Sequence, residues 1–295
     1  MISRAKGTSL AEVLIATAIT AGLCAVLFEL FRQNERVFRD QSLLLEMQQS
    51  VRAATAQITD DIRIAGQGVP VHLTEVSEGT AVVLAGSDAS RLRFRAGYSN
   101  AESRVTSPLP VYLSIGSPVD LAVESPVAFS SVVGSSPSGR YAYLWGESDL
   151  GQVWVRAALE SVGGASKTIR ITPEESNVQP VRFTAAPVLS LEEAVAIYFD
   201  GAARSIRRTT ATDMADPANP RWAPANEIAS NITEFTISYY DVFGMAVVPD
   251  EPTRRLQVAR VDLRVVGRTA AALSDGSRPA YALTVRSFPR NLRGR

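Results

Sequence analysis

A single carboxylate, Glu12, stands at the head of an apolar stretch, and no further charge appears from Val13 through Phe28 until Glu29. A carboxylate set in hydrocarbon costs about 2.5 to 3.5 kcal/mol on insertion scales, so it is best tolerated where an opposite charge meets it. The chemistry this points to is ion pairing in a membrane, with no bond made or broken. Material for catalysis is scarce: the one histidine is His72, and the one cysteine is Cys24, inside the apolar stretch itself. That leaves little for a Ser/His/Asp or Cys/His system and nothing for a disulfide or a cysteine zinc site. There is no G-x-x-x-x-G-K-[ST] phosphate loop and no G-x-G-x-x-G after a strand, so nucleotide binding lacks local support. No cofactor is expected, and the chain is read as a non-enzyme.

The remaining polar clusters favour plain readings. Asp213 with Asp216, and Asp250 with Glu251, offer oxygens to calcium but lack the regular spacing of a calcium loop, so they are read as solvated loop acids and no metal site is expected. Asp60 and Asp61 are neighbours on a helical run, where adjacent side chains point about 100° apart. That suits surface charge better than acid/base work. Asn231-Ile232-Thr233 fits a glycosylation triplet inside a strand pattern and is read as coincidence. His72, just past the helix stop, is read as a capping or packing residue. Arg286, Arg290, Arg293 and Arg295 form a basic tail, read as a solvated terminus, with DNA, anionic lipid or an acidic partner as alternatives. Thirty Lys and Arg balance thirty Asp and Glu, which removes the broad positive field of a general nucleic-acid binder and leaves only a local patch open.

These residues need elements to hold them. The apolar stretch is close to the roughly 20 residues that span a hydrocarbon core, and Arg4 and Lys6 ahead of it favour a cytoplasmic N-terminus. An ordinary secretory signal would share this layout and end at a site such as Ala16-Thr17-Ala18. Glu12 and the continuing helical pattern both count against that. From Gln33 to Ala65 there is neither Pro nor Gly, and Met47, Val51, Ala54, Ile58, Ile62 and Ala65 mark one helical face. A single helix over residues 8–65 would be about 85 Å long, with only its second half available to pack on a soluble domain. Gly66, Gly68 and Pro70 supply the stop.

Beyond Gly66 the period shortens. Strands are expected at residues 81–84, 91–96, 111–115, 141–145, 152–157, 167–172, 194–199, 204–209, 228–240, 258–267 and 281–286, broken by Gly, Pro, Ser and Asp clusters. Asp200-Gly201 suggests a hairpin turn. Residues 99–110, 130–139 and 211–224 read as loops, the last because Pro217, Pro220 and Pro224 cannot continue a central strand. The fold class is therefore α+β: a long N-terminal α-helix, transmembrane in its first half (about residues 8–31), packed on a mainly antiparallel β-sheet domain over residues 67–295.

The run Lys6-Gly7-Thr8-Ser9-Leu10-Ala11-Glu12-Val13-Leu14-Ile15 resembles the class III signal of type IV prepilins and pseudopilins: a basic leader ending in Gly, then an apolar stretch with Glu at its fifth position. The resemblance implies a leader over residues 1–7 with basic residues Arg4 and Lys6, and cleavage between Gly7 and Thr8 by a prepilin peptidase. It further implies N-methylation of Thr8 and an assembly helix over residues 8–66. Glu12 would then pair with the N-terminal amine of a neighbouring subunit. The family usually places Phe after the scissile bond, where this chain has Thr8. Arg36 to Gln41 and the Asp61-x-Arg63-x-Ala65-Gly66 helix end resemble PilW-type minor pilins, with the J-type pseudopilin of type II secretion sharing the layout. The implied partners are prepilin peptidase, other pilins and minor pilins, and the inner membrane, with no nucleotide. The implied location is a single-pass inner-membrane protein with a periplasmic domain, later part of a pilus or pseudopilus. From another class, a signal-anchored periplasmic binding protein or hydrolase would keep an intact N-terminus, and a secreted protein would be cut near Ala18 or Ala21.

Overall fold

The protein was analysed as a computed structural model, which describes residues 10–70, 77–135 and 137–289. Helix α1 (Leu10–Arg63) is continuous over 54 residues, about 80 Å at 1.5 Å per residue. Glu12 lies in its first turn and Arg63 in its last, each matched in sign to the helix dipole. The face expected to be buried is buried: Met47, Val51, Ala54, Ile58, Ile62 and Ala65 are shielded. Thr55 and Thr59 join it, because their hydroxyls donate back to Val51 O at 2.6 Å and Thr55 O at 2.7 Å, which removes the cost of burying them.

The helix stops where the glycines demand. Gly66 and Gly68 have φ of 82° and 75°, backbone that side chains with a Cβ rarely adopt. At Gly68 a Cβ would also fall 2.5 Å from Ser190 Oγ. The freed Gly66 amide donates to Arg95 O at 2.8 Å, so the turn out of the helix is locked to the first strand. His72 lies outside the described residues.

Among the described residues seventeen strands follow. In chain order they are β1 (Arg91–Arg95), β2 (Glu102–Arg104), β3 (Val111–Leu113), β4 (Val119–Ala122), β5 (Tyr141–Ser148), β6 (Gly151–Gly163), β7 (Thr168–Ser176), β8 (Val181–Phe183) and β9 (Val188–Leu191). Then come β10 (Ala194–Asp200), β11 (Ser205–Asp213), β12 (Arg221–Trp222), β13 (Asn226–Ala229), β14 (Ile232–Tyr240), β15 (Ala246–Val247), β16 (Arg260–Arg268) and β17 (Ala280–Ser287). Two short helices intervene, α2 (Val127–Val133) and α3 (Pro252–Arg255). The pairings between strands are antiparallel. They build sheets in the orders β1-β10-β11-β12 with β13 on β11, β15-β14-β16-β17, β2-β9-β5-β6-β7-β4, and the pair β3-β8.

Two cores result. In the first, Val51, Ala54, Ile58 and Ile62 of α1 meet Ile197, Ile206, Phe235, Leu263 and Val265 from the first two sheets. In the second, away from the helix, Leu144, Val155, Ile169 and Leu189 of the six-stranded sheet pack with Phe129 of α2 and Phe183 of β8. The α+β class and the antiparallel pattern are as expected, with local corrections. The run over residues 228–240 is two strands, because Asn231 takes φ 57° and lets the chain leave one sheet for the next. The Asp200-Gly201 hairpin closes with four residues between Asp200 and Ser205, and its positive φ falls on Arg204, not Gly201. Residues 81–84 make only an isolated bridge, Val83 with Phe94. Helix α2 runs into the expected loop at residues 130–139, β2 lies inside residues 99–110, and β11 and β12 enter the proline-rich segment from either side.

Candidate assembly interface

Among the described residues nothing packs against the first half of α1. Leu14, Ile15, Ile19, Leu23, Val26 and Phe28 all remain exposed, a contiguous apolar surface far larger than a free soluble protein presents to water. By length and composition this helix can cross a membrane. Its polar groups are compatible with that: Thr17 Oγ1 donates to Val13 O and Leu14 O at 2.9 Å, and Thr20 Oγ1 to Ala16 O at 2.8 Å. Hydroxyls satisfied within the helix need no water. Gly22 has no atom within 4 Å of where a Cβ would stand, and Cys24 is an exposed free thiol. Glu12 sits in the first turn of the helix; Arg4, Lys6, Gly7 and Thr8 lie outside the described residues.

Where the helix reaches the domain, the β16–β17 connection straps it. Ser274 N donates to the Asp40 carboxylate at 3.0 Å and 3.1 Å, Ser274 Oγ donates to the same group, and Arg39 Nη2 donates to Ala272 O at 3.4 Å. At the far end Asp61 receives Arg208 Nε at 2.7 Å and Nη2 at 3.1 Å. Asp60 instead faces solvent and meets Arg63 at 3.0 Å. The pair of acids is therefore not uniform surface charge: one caps the helix surface, and the other anchors the helix to β11. The hydrogen bond to Asp61 holds the Arg208 guanidinium above its ordinary value.

At the junction of the two large cores sits a buried charge cluster that the strand and loop patterns do not anticipate. Glu192, in the link between β9 and β10, receives Arg95 Nε at 2.6 Å through Oε1 and Arg156 Nε at 2.8 Å through Oε2. All three side chains are buried. Arg156 Nη2 also donates to Met214 O at 2.5 Å, and Arg95 Nη1 donates to Ala81 O. One carboxylate thus ties two sheets together, and the Glu192-Glu193 doublet between apolar strand runs was the signal available. Glu193 is bound separately by Ser99 N at 2.9 Å and Ser99 Oγ at 2.7 Å. Burial pushes its carboxyl above the usual range despite those bonds.

The other sequence candidates serve local structure. Asp213 Oδ1 accepts Ala215 N at 2.9 Å, and Asp216 Oδ1 accepts Ala218 N at 3.0 Å, so each shapes its own turn. Asp250 pairs with Arg254 at 3.7 Å, Glu251 precedes α3 without a side-chain cap bond, and Arg286 lies 3.8 Å from Asp262. Asn231 occupies the turn that separates β13 from β14. Among the described residues no cluster of three or more His, Cys, Asp or Glu is placed to hold a metal.

No family model matches the chain, and no curated protein matches it. Among solved structures, a type IV-like pilin from Thermus thermophilus aligns at 11% identity and a TM-score of 0.24, over 57% of this chain and 96% of that one. A superposition this loose carries no functional inference.

Proposed function

We propose that the chain is a type IV pilin-like subunit of the PilW minor-pilin type, a non-enzymatic component that primes or caps a pilus and supports adhesion, motility or DNA uptake. The observation that carries this reading is the division of α1: one unbroken helix whose second half is core and whose first half is an exposed apolar rod with a carboxylate near its start. A rod of this kind has to find its packing partners outside its own chain, in lipid and in other helices.

The proposed sequence of events begins with insertion, the N-terminus held in the cytoplasm by Arg4 and Lys6. Prepilin peptidase cuts between Gly7 and Thr8 and frees an α-ammonium on Thr8, which is then methylated. Residues 8–31 dock laterally among like helices, where Gly22 and the neighbouring alanines permit close approach. Glu12 offsets its desolvation cost by pairing with the amine of an adjoining pilin. The β-domain stays on the periplasmic side and selects partners.

Mass spectrometry of the N-terminus, from cells with and without prepilin peptidase, tests the reading. Expected is a chain that begins at Thr8 in the first case and at Met1 in the second. A mature chain beginning after Ala18 or Ala21, or a full-length N-terminus in both strains, would overturn it.

A further inference from the structure

A cleft of about 400 Å³ lies at the end of β16 and shares Asn231, Arg268 and Ala270 with a smaller recess lined by Leu43, Glu46 and Met47 of α1. Three arginines from three separate segments line it: Arg204 from the β10–β11 turn, Arg268 from the end of β16, and Arg278 from the loop that straps α1. All three are exposed, and among the described residues no carboxylate lines the cleft. Of the acids next to it in sequence, Asp200 pairs with Arg207 at 3.1 Å and Glu234 with Arg264 at 2.8 Å, while Asp275 accepts from Ser277 N at 2.8 Å. Three arginines lining one cleft give it a positive potential that favours an anion there.

The arginines are mounted on backbone that is fixed. Arg204 and Asn231 both take left-handed conformations, φ 51° and 57°. Ile232 N donates to Arg204 O at 2.9 Å, and Arg268 N donates to Asn231 O at 2.9 Å. These bonds stitch the Arg204 turn, the Asn231 turn and the end of β16 into one wall, and Thr269 N donates to Pro279 O at 3.4 Å, beside Arg278. A second observation points to a ligand: Thr269, also lining the cleft, is 3% exposed, yet its hydroxyl has no hydrogen-bond partner among the described residues. A buried hydroxyl left unpaired is expensive, and an oxyanion seated among the guanidiniums would accept from it.

We infer that this cleft is an oxyanion site for a phosphate group, with Arg204, Arg268 and Arg278 as the charged donors and Thr269 as the buried donor. Guanidinium forks match tetrahedral phosphate oxygens in geometry as well as charge. Free phosphate and the headgroup of an anionic phospholipid present the same chemistry. The inference does not depend on how the N-terminus is processed.

The test uses the full chain in detergent, titrated calorimetrically with inorganic phosphate, and the same chain in nanodiscs of phosphatidylcholine with or without phosphatidylglycerol. The variants are Arg204→Gln, Arg268→Gln and Thr269→Val, with Arg104→Gln as an exposed basic control elsewhere on the domain, and thermal melting confirms that each is folded. Saturable phosphate binding, weakened about tenfold by either cleft arginine variant and untouched by Arg104→Gln, supports the inference with free phosphate as source. A response confined to phosphatidylglycerol discs and lost in the same variants supports it with a lipid headgroup as source. Absence of both responses in the unaltered chain, or equal losses in Arg104→Gln, overturns it.

Discussion

Asp61 and Arg208 meet through two near-parallel hydrogen bonds, 2.7 Å and 3.1 Å, across the seam between α1 and β11. Both side chains are largely withdrawn from solvent, at 13% and 22% exposed. A bidentate, partly desolvated pair of this kind is the stronger type of ion pair. Asp61→Ala leaves the half-buried Arg208 with no carboxylate and only the Tyr98 ring, 5.7 Å away, beside it, and is expected to destabilise the full chain by about 1 to 3 kcal/mol. Asp60→Ala, one residue away on the solvent side, should change stability by less than about 0.5 kcal/mol. Thermal or denaturant unfolding of both variants in detergent checks the contrast, and equal effects would mean the helix is not anchored at this point.

The two halves of α1 should respond oppositely to the same chemical change. Ile58 is fully buried in the first core, whereas Leu23 is 60% exposed. Ile58→Ala removes packed methyl groups and leaves a cavity, with an expected loss of about 2 to 5 kcal/mol in domain stability. Leu23→Ala should leave domain unfolding unchanged, because nothing in the chain touches that surface. Monitoring tryptophan fluorescence during denaturation reads the domain alone.

Glu193 sets a pH dependence of definite sign. Burial raises its carboxyl, while Ser99 and Arg140 pull the other way. The folded chain therefore holds this proton more tightly than the unfolded one. The contribution of Glu193 is most favourable below the unfolded value of about 4.3 and is lost as pH rises through the folded value. Glu193→Gln retains an acceptor for Ser99 but does not titrate. The stability difference, wild type minus variant, is expected to fall across that interval and then level off. A difference that rises with pH would show the carboxylate to be favoured in the fold.

Much of this architecture could be read from residue types alone, because the strongest signals are local. The 3.6-residue recurrence from Met47 to Ala65 marks the buried face of α1, and Gly66 and Gly68 mark its end through the positive φ that each adopts. Short β-runs bounded by Gly, Pro and Asp located most of the longer strands. What could not be read is non-local. Asp61 and Arg208 are 147 positions apart, and Arg95 and Glu192 are 97 apart, so no window of sequence brings them together. Thr55 and Thr59 look polar until their hydroxyls are seen to bond within the helix. The break at Asn231 looked like continuous strand, because a single left-handed residue leaves the alternation around it almost intact.

Gly22 offers a way to separate folding from association. A Cβ added there meets nothing within 4 Å in the chain, and leucine is a better helix former than glycine by several tenths of a kcal/mol. Gly22→Leu should therefore leave domain stability unchanged and strengthen the isolated helix. If residues 8–31 pack laterally against like helices, the same change interposes a bulky side chain where small residues allow close contact, and association should weaken. Cys24, two positions on and exposed, supplies the readout, since the chain has no other cysteine to confuse it. Oxidative crosslinking in membranes is expected to trap a disulfide-linked dimer of the unaltered chain and several-fold less of Gly22→Leu. Equal crosslinking of the two would place the contact on another face of the helix, and crosslinking of neither would indicate that copies of this chain do not meet at this depth.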